Sequence, residues 1–409
     1  LPLIASQLVF LYAVEALLSW SRGRPWEWGF GPVPIGLRTN VFIWFVDDWY
    51  VLQFLLVLTG ALGKEFIRWK RDGRKVHIFN PSAFPLCICS LLLILTGSTG
   101  LTRGVEIAST LFRPPHIYLE IFVLGMVVQY FFAVTLVTLS TAAVLVLLNV
   151  VYTQVTGVYF FLDTNISATV FLGFHLLVTD PKTSPRSNSG KVVFGVLYGL
   201  SIATLYLLLG QLGLPQFYDK LLPIPVLNLC VRWIDRVAQS GPLGRLARWE
   251  ARFDPRRLNL AHMGVWVALF SGLYATGFVE APHPARSIAF WKQAYDEGRF
   301  MAGEKMLQMI VTRVDKDSGV ACNALGALYV EGQLVPKNDA LAGYWFGRAC
   351  EMGSARGCLN LVRHYVYAGQ PVDKGKLNAA MASVEADCGV VEGGDRWALM
   401  GWADVNGLG

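Results

Sequence analysis

Two short segments set the terms on which this chain can fold. His77-Ile78-Phe79-Asn80-Pro81-Ser82-Ala83-Phe84 and Thr179-Asp180-Pro181-Lys182-Thr183-Ser184-Pro185 each put a polar residue directly before a proline, at the edge of an apolar stretch. Proline has no N–H to donate and disfavours helix in the residue before it. Non-helical backbone at membrane depth survives only where protein or a water-filled cavity covers it. Two such breaks in comparable places point to two related halves with a site between them.

Composition supplies the membrane setting. Of 409 residues, 54% are hydrophobic and 16% charged, with a mean hydropathy of +0.44. Soluble domains run near 25% charged. A window of about 19 residues gives about nine spans, near 1–20, 43–63, 80–98, 117–133, 135–152, 165–179, 192–212, 217–233 and 261–279. The apolar run 117–151 is too long for one span and reads as a tight hairpin of two. The span around Leu221-Leu222-Pro223-Ile224-Pro225 reads as a crossing or as a re-entrant segment. The first residue is Leu1, so a start upstream of it is expected; 1–20 is long enough to be a span itself.

The net charge of +6 is unevenly divided. Residues 1–280 carry 22 Lys and Arg against 15 Asp and Glu; residues 281–409 carry 13 against 14. Basic excess beside apolar spans reports membrane orientation, so nucleic acid is not an expected partner. Lys64, Arg68, Lys70, Arg71, Arg74 and Lys75 crowd one loop, and Lys182, Arg186 and Lys191 follow the second motif. Arg232, Arg236, Arg245, Arg248, Arg252, Arg256 and Arg257 precede the last span. With nine spans these regions share one side, the expected cytoplasmic one. Arg22, Arg24, Arg38, Arg103, Arg113 and Lys220 then lie on the opposite side, and so does the tail. Residues 231–258 interleave Arg with Trp and Leu and read as an amphipathic helix on the inner leaflet.

Ionisable groups within spans are costly and are functional candidates by default. Asp47 and Asp48 are expected at the interface, whereas Glu120 and His175 are the candidates for a polar interior. Trp26, Trp28, Trp44, Trp49 and Trp69 sit near span ends, as an aromatic belt does.

The tail carries an internal repeat. Ala321-Cys322-Asn323-Ala324-Leu325-Gly326-Ala327-Leu328-Tyr329 recurs 36 residues later as Gly357-Cys358-Leu359-Asn360-Leu361-Val362-Arg363-His364-Tyr365. A fixed period of this size marks a solenoid of helix pairs. Residues 287–405 resemble the Sel1-like repeats, relatives of the tetratricopeptide repeats. Such repeats form curved partner-binding surfaces. The tail holds no paired nucleophile and base, and His364 reads as packing or surface. The resemblance implies a Cys350–Cys358 disulfide across an inter-helix turn, which suits an oxidising compartment. Cys322 and Cys388 either pair together or stay buried and reduced; Cys87, Cys89 and Cys230 read as packing residues.

Three elements of the first 280 residues, taken together, resemble the NqrB/RnfD family of membrane subunits. They are Gly36-Leu37-Arg38-Thr39-Asn40, the stretch Arg74–Phe84 around the first motif, and the second motif followed by Gly190-Lys191 and Phe194-Gly195-Val196-Leu197-Tyr198-Gly199. The nearest flavour is the divergent RnfD-like branch that includes proteins of enediyne biosynthesis. The resemblance implies a subunit of a flavin-dependent redox complex coupling electron transfer to ion movement, built from two five-helix halves. Classical members carry FMN on a Thr of a Ser/Thr-Gly-Ala-Thr motif. Here the nearest run, Ile166-Ser167-Ala168-Thr169, lacks the Gly, so covalent FMN on Thr169 is not expected. A flavin, FMN or riboflavin, would be held without a covalent bond. His77, Asn80, Thr179, Asp180, Thr183 and Ser184 are its candidate contacts. Asn80 and Asp180 also have a purely structural reading, as caps of broken helix ends. No haem-attachment sequence or iron–sulfur cysteine cluster is present.

The expectation is therefore an all-α protein. Residues 1–280 form a polytopic bundle in a bacterial inner membrane, and residues 281–409 form a periplasmic Sel1-like domain. Its expected partners are the lipid bilayer, other subunits of a membrane complex and a periplasmic protein. Any redox activity is that of an electron-transfer subunit of an oxidoreductase complex. A scaffold subunit without redox activity and a small-solute transporter are the competing readings.

Overall fold

The computed structural model describes residues 2–71, 73–111, 116–162, 164–240, 244–245, 250, 252–279, 283–314 and 318–368. The described chain is helical except for one two-stranded hairpin. It divides into two compact units, Leu1–Val151 with Thr164–Pro282, and Tyr152–Asp163 with His283–Gly409. Sequence alone predicts a single division at 280; the short insert 152–163 groups with the later part of the chain.

The first unit contains α1 (Pro2–Trp20), α2 (Pro32–Phe42), α3 (Val51–Phe66) and the hairpin β1 (Arg68–Arg71) and β2 (Arg74–His77). Then come α4 (Ala83–Leu95), α5 (Gly104–Thr110), α6 (Ile117–Phe132), α7 (Thr135–Thr156), α8 (Ala168–Leu176), α9 (Asn188–Gln211), α10 (Pro223–Ala238) and α11 (Pro255–Ala275). Four of these, α1, α7, α9 and α11, are long and apolar enough to cross a membrane. Large apolar side chains stand exposed at helical spacing, Val123, Val127 and Phe131 on α6 and Leu147 and Val151 on α7. Exposed apolar surface of this extent fits lipid contact. The long apolar run breaks at Ala133, whose φ of 50° no helix can continue through.

The expected span at 165–179 has a different form. Its helix α8 has nine residues, all buried. At a rise of about 1.5 Å per residue it is about 14 Å long, under half of a bilayer core of about 30 Å. Ser167 caps its start by accepting from Val170 N–H, and the Thr179-Asp180-Pro181 break follows its end. It is a half-helix wrapped in protein.

A second difference changes the sidedness of one loop. Helix α3 runs parallel to α1, with Phe10 against Phe54, Glu15 ion-paired to Lys64 at 2.7 Å, and Arg22 and Arg24 both on Glu65. Between them α2 returns antiparallel to α1: Gly31 lies beside Glu15, Gly36 beside Leu8 and Leu11, and Asn40 pairs its amide with Gln7. The hydropathy window misses α2 because it is 11 residues long and carries Pro32, Pro34 and Gly36. With this extra return, Arg22 and Arg24 belong beside the basic hairpin, not on the opposite side.

The three basic regions meet as expected of loops sharing a side. Arg71 bonds Asp235 at 2.8 Å and the Ser184 carbonyl, Arg186 N–H donates to Asp235, and Arg232 lies over the Trp69 ring. Of the expected surface helix at 231–258, the described residues Gly244, Arg245 and Glu250 are helical, between α10 and α11. Its first part continues α10, burying Val231, Ile234 and Ala238, and its last residues open α11. Residues 241–243, 246–249 and 251 lie outside the described set.

The second unit holds α12 (Ile288–Asp296), α13 (Ala302–Val314), α14 (Gly319–Glu331), α15 (Asp339–Glu351) and α16 (Ala355–Ala368), each packed on the next. Gly332, at a φ of 70°, ends α14, and Asn338 caps α15 by accepting from Leu341 N–H. Gly326 lies against Phe346 and Gly319 against Ser354, so α14 and α15 run antiparallel. The repeated cysteines Cys322 and Cys358 are both buried, and Asn323 bonds Asn360 at 2.8 Å. Residues 369–409, with Cys388 and the end of the expected repeat region, lie outside the described residues.

Candidate functional site

The two proline motifs, a hundred residues apart in sequence, meet in space. His77 ends β2, and its Nε2 lies 3.0 Å from Asp180 Oδ2. Asn80 starts the turn into α4. Its Oδ1 accepts from Ser82 N–H and Ala83 N–H, and its Nδ2 donates to the Leu177 carbonyl at 2.6 Å. One side chain thus caps α4 and satisfies a carbonyl left open by the end of α8. Asn228 on α10 closes the joint. Its Oδ1 accepts from Asn80 N–H at 3.0 Å and its Nδ2 donates to the Thr183 carbonyl at 3.2 Å.

The remaining candidates tie up the second motif itself. Thr179 Oγ1 donates to the His175 carbonyl, and Thr183 and Ser184 hydroxyls both donate to the Asp180 carbonyl. Asp180 Oδ1 accepts from Lys182 N–H. Burial alone would raise the Asp180 carboxyl; His77, Lys182 N–H and the charge of Arg38 hold it below the usual carboxylate range. Asp180 is accordingly an anion at neutral pH.

The two intramembrane ionisable candidates are not brought together. His175 is fully buried, with Nδ1 on the Phe171 carbonyl at 2.8 Å and its ring among Phe122, Phe171, Phe174 and Trp266. Its surroundings are aromatic, and Gly125 lets α6 approach it closely. Glu120 does not face a polar interior; it is exposed in the first turn of α6, where a helix N-terminus favours an acid. Asp47 and Asp48 are exposed just before α3, at an element boundary. In the second unit Cys350 and Cys358 form a disulfide, and His364 packs against Phe346.

Sequence reasoning missed several polar residues of the first unit. Asn228 is a lone amide in an apolar run, and Asp235 the one acid among the arginines of α10. Either contrast could have marked them. The adjacent Asp219 and Lys220 form an ion pair at 3.0 Å with side chains 2% and 3% exposed. Lys220 Nζ also donates to Thr169 Oγ1 at 3.1 Å, and its carbonyl accepts from Tyr198 OH. Lys220 had been read as a loop cation; the packing of the 3-10 turn Gln216–Lys220 against α8 and α9 buries it.

A flavin ring needs donors and acceptors that the protein has not already used. Asn80, Thr179, Thr183 and Ser184 are committed to backbone groups of their own unit. They fit a structural joint better than a ring-binding surface. Two groups at the joint keep unspent capacity. Among the described residues, His77 Nδ1 and the Arg38 guanidinium meet no hydrogen-bond partner.

Compared with protein-family models, with curated proteins and with solved structures, the chain matches none.

Proposed function

We propose that this chain is an RnfD/NqrB-like membrane subunit of a larger bacterial complex related to electron transport, carrying a periplasmic Sel1-like domain for partner binding. The single observation that supports the reading is the joint itself. The two signature motifs of that resemblance converge on the His77–Asp180 contact, and Arg38 of the third element acts on the same carboxylate. In this reading the nine expected helices and the return helix α2 make up the membrane bundle. The basic loops face the cytoplasm, and the repeats stack as a solenoid outside the inner membrane. Any flavin is non-covalent and is held by the joint's unspent groups, His77 and Arg38. Thr169 is a poor attachment point, since its hydroxyl is buried and bonded to Lys220.

A scaffold subunit is the second reading. It is favoured by the commitment of Asn80, Thr179, Thr183 and Ser184 to the backbone, which describes a weld rather than a ligand surface. The transporter reading draws on the half-helix α8 at a proline break. The deciding test is flavin fluorescence of the gently purified protein before and after acid precipitation. Flavin released by acid supports the redox subunit. Flavin in neither fraction removes a flavin centre from this chain and leaves the scaffold. Flavin retained in the pellet refutes the reading of Thr169.

A further inference from the structure

Arg38 is a cation without an acceptor. It sits on α2, half-buried, with no hydrogen bond and no carboxylate within ion-pair distance among the described residues. The charge that acts on it is Asp180, whose own oxygens are taken by His77 and Lys182 N–H. A guanidinium carries five donors in a planar fork and cannot shed its proton. A half-buried guanidinium loses part of its hydration without an acceptor to replace it, and arginines within membrane segments ordinarily pair with a carboxylate, a carbonyl or a ligand.

One further side chain contacts the same carboxylate, and a second cation follows it in the chain. His77 reaches Asp180 through Nε2, which leaves Nδ1 as a second unspent atom. The side chain of Lys182, two residues beyond Asp180, is exposed. The place is also built. Ser82 Oγ donates to the Pro34 carbonyl, fixing α2 on the first motif, and Asn40 with Gln7 fixes α2 on α1. The Arg38 fork is thus left with its donors open toward an added negative group.

We propose that Arg38, together with the unspent Nδ1 of His77 on the same carboxylate, binds the phosphate group of a ligand. The guanidinium fork matches two phosphate oxygens, and the bond gains strength where water is sparse. Two sources share that chemistry: the headgroup of an anionic phospholipid and the phosphate tail of a soluble cofactor. The assignment concerns the phosphate alone and does not require the flavin reading to hold.

The test uses the full chain in two arms. In the first, detergent-solubilised protein is titrated with FMN and with riboflavin, which share the ring and differ in the phosphate. In the second, the protein is reconstituted in nanodiscs of phosphatidylcholine or of phosphatidylglycerol, and its thermal transition is followed. A preference for FMN over riboflavin of tenfold or more, abolished in Arg38→Gln, supports the site with a soluble source. Equal or absent flavin binding, with a stabilisation by phosphatidylglycerol that Arg38→Gln loses, supports it with a lipid source and counts against the flavin reading. Arg38→Lys keeps the charge without the fork and should retain part of either effect. Should Arg38→Gln fail to fold, the wild-type comparison and Arg38→Lys still decide. No phosphate preference and no phosphatidylglycerol effect in the wild type would overturn the proposal, even if both flavins bind.

Discussion

Asn80 shows how much one side chain can hold in a broken-helix protein. Its amide caps α4 and also holds the end of α8. Asn80→Ala should destabilise the solubilised protein by about 2–4 kcal/mol, a lost cap plus an orphaned buried carbonyl. Asn80→Asp keeps the capping oxygen but sets a buried carboxyl against the Leu177 carbonyl, so its midpoint in a thermal scan should stay below that of the wild type. The Asp219–Lys220 pair obeys a different rule. Removing one partner of a buried pair leaves an uncompensated charge at a cost of about 3–5 kcal/mol, whereas replacing both can be nearly neutral. Lys220→Met should therefore be worse than the double variant with Asp219→Leu, and equal losses in both would show the pair to be independent. At this scale the sequence made the motif residues visible, because a polar residue before proline in an apolar run is conspicuous. It left the roles of Asn228 and Lys220 hidden, since Asn80 and Thr183 for the one and Thr169 and Tyr198 for the other come from elements far away in the chain.

Elements pack here through glycines as much as through side chains. A Cβ on Gly60 of α3 would overlap the Pro81 carbonyl at the heart of the first motif. Gly60→Ala should cost about 1–3 kcal/mol through overpacking. Gly264→Ala on α11, where a Cβ meets nothing within 4 Å, should be neutral or slightly stabilising. Thermal unfolding of the two variants side by side checks the contrast. In the second unit α13 carries a buried cation. Lys305 is 5% exposed, donates to the Tyr159 and Phe160 carbonyls, and lies 5.1 Å from the Tyr152 ring centroid and 5.6 Å from that of Trp291. Burial lowers its pKa to about 7. An unfolded lysine keeps its proton to about pH 10.4. Between those values the unfolded chain binds the extra proton, so stability rises with pH across that window and the gain is absent below it. Hydrogen exchange of 302–314, corrected for intrinsic rate, should slow from pH 7 to pH 9 in the wild type and not in Lys305→Met. Most helices were legible from hydropathy and caps. The half-helix α8 and the return helix α2 were not, because a window of span length averages a short helix into its neighbours.

For the whole molecule, the number of passes decides which loops share a face. The antiparallel fit of α2 between α1 and α3 brings the loop of Arg22 and Arg24 to the basic hairpin. The tail still follows a single helix, α11, after the last basic loop, so its expected side is unchanged. Hydropathy marked the apolar stretches, of which α1, α7, α9 and α11 are long enough to cross a membrane, and it missed α2, which Pro32, Pro34 and Gly36 shorten. The most direct measurement is labelling of single cysteines with an impermeant maleimide in intact spheroplasts, in a background with Cys89, Cys230 and Cys388 replaced by Ser. Arg24→Cys and Lys75→Cys should both be protected until the membrane is opened, while Gln333→Cys in the repeat unit reacts from outside. Reaction of Arg24→Cys in intact spheroplasts with Lys75→Cys protected would contradict the return of α2 and the bundle built on it.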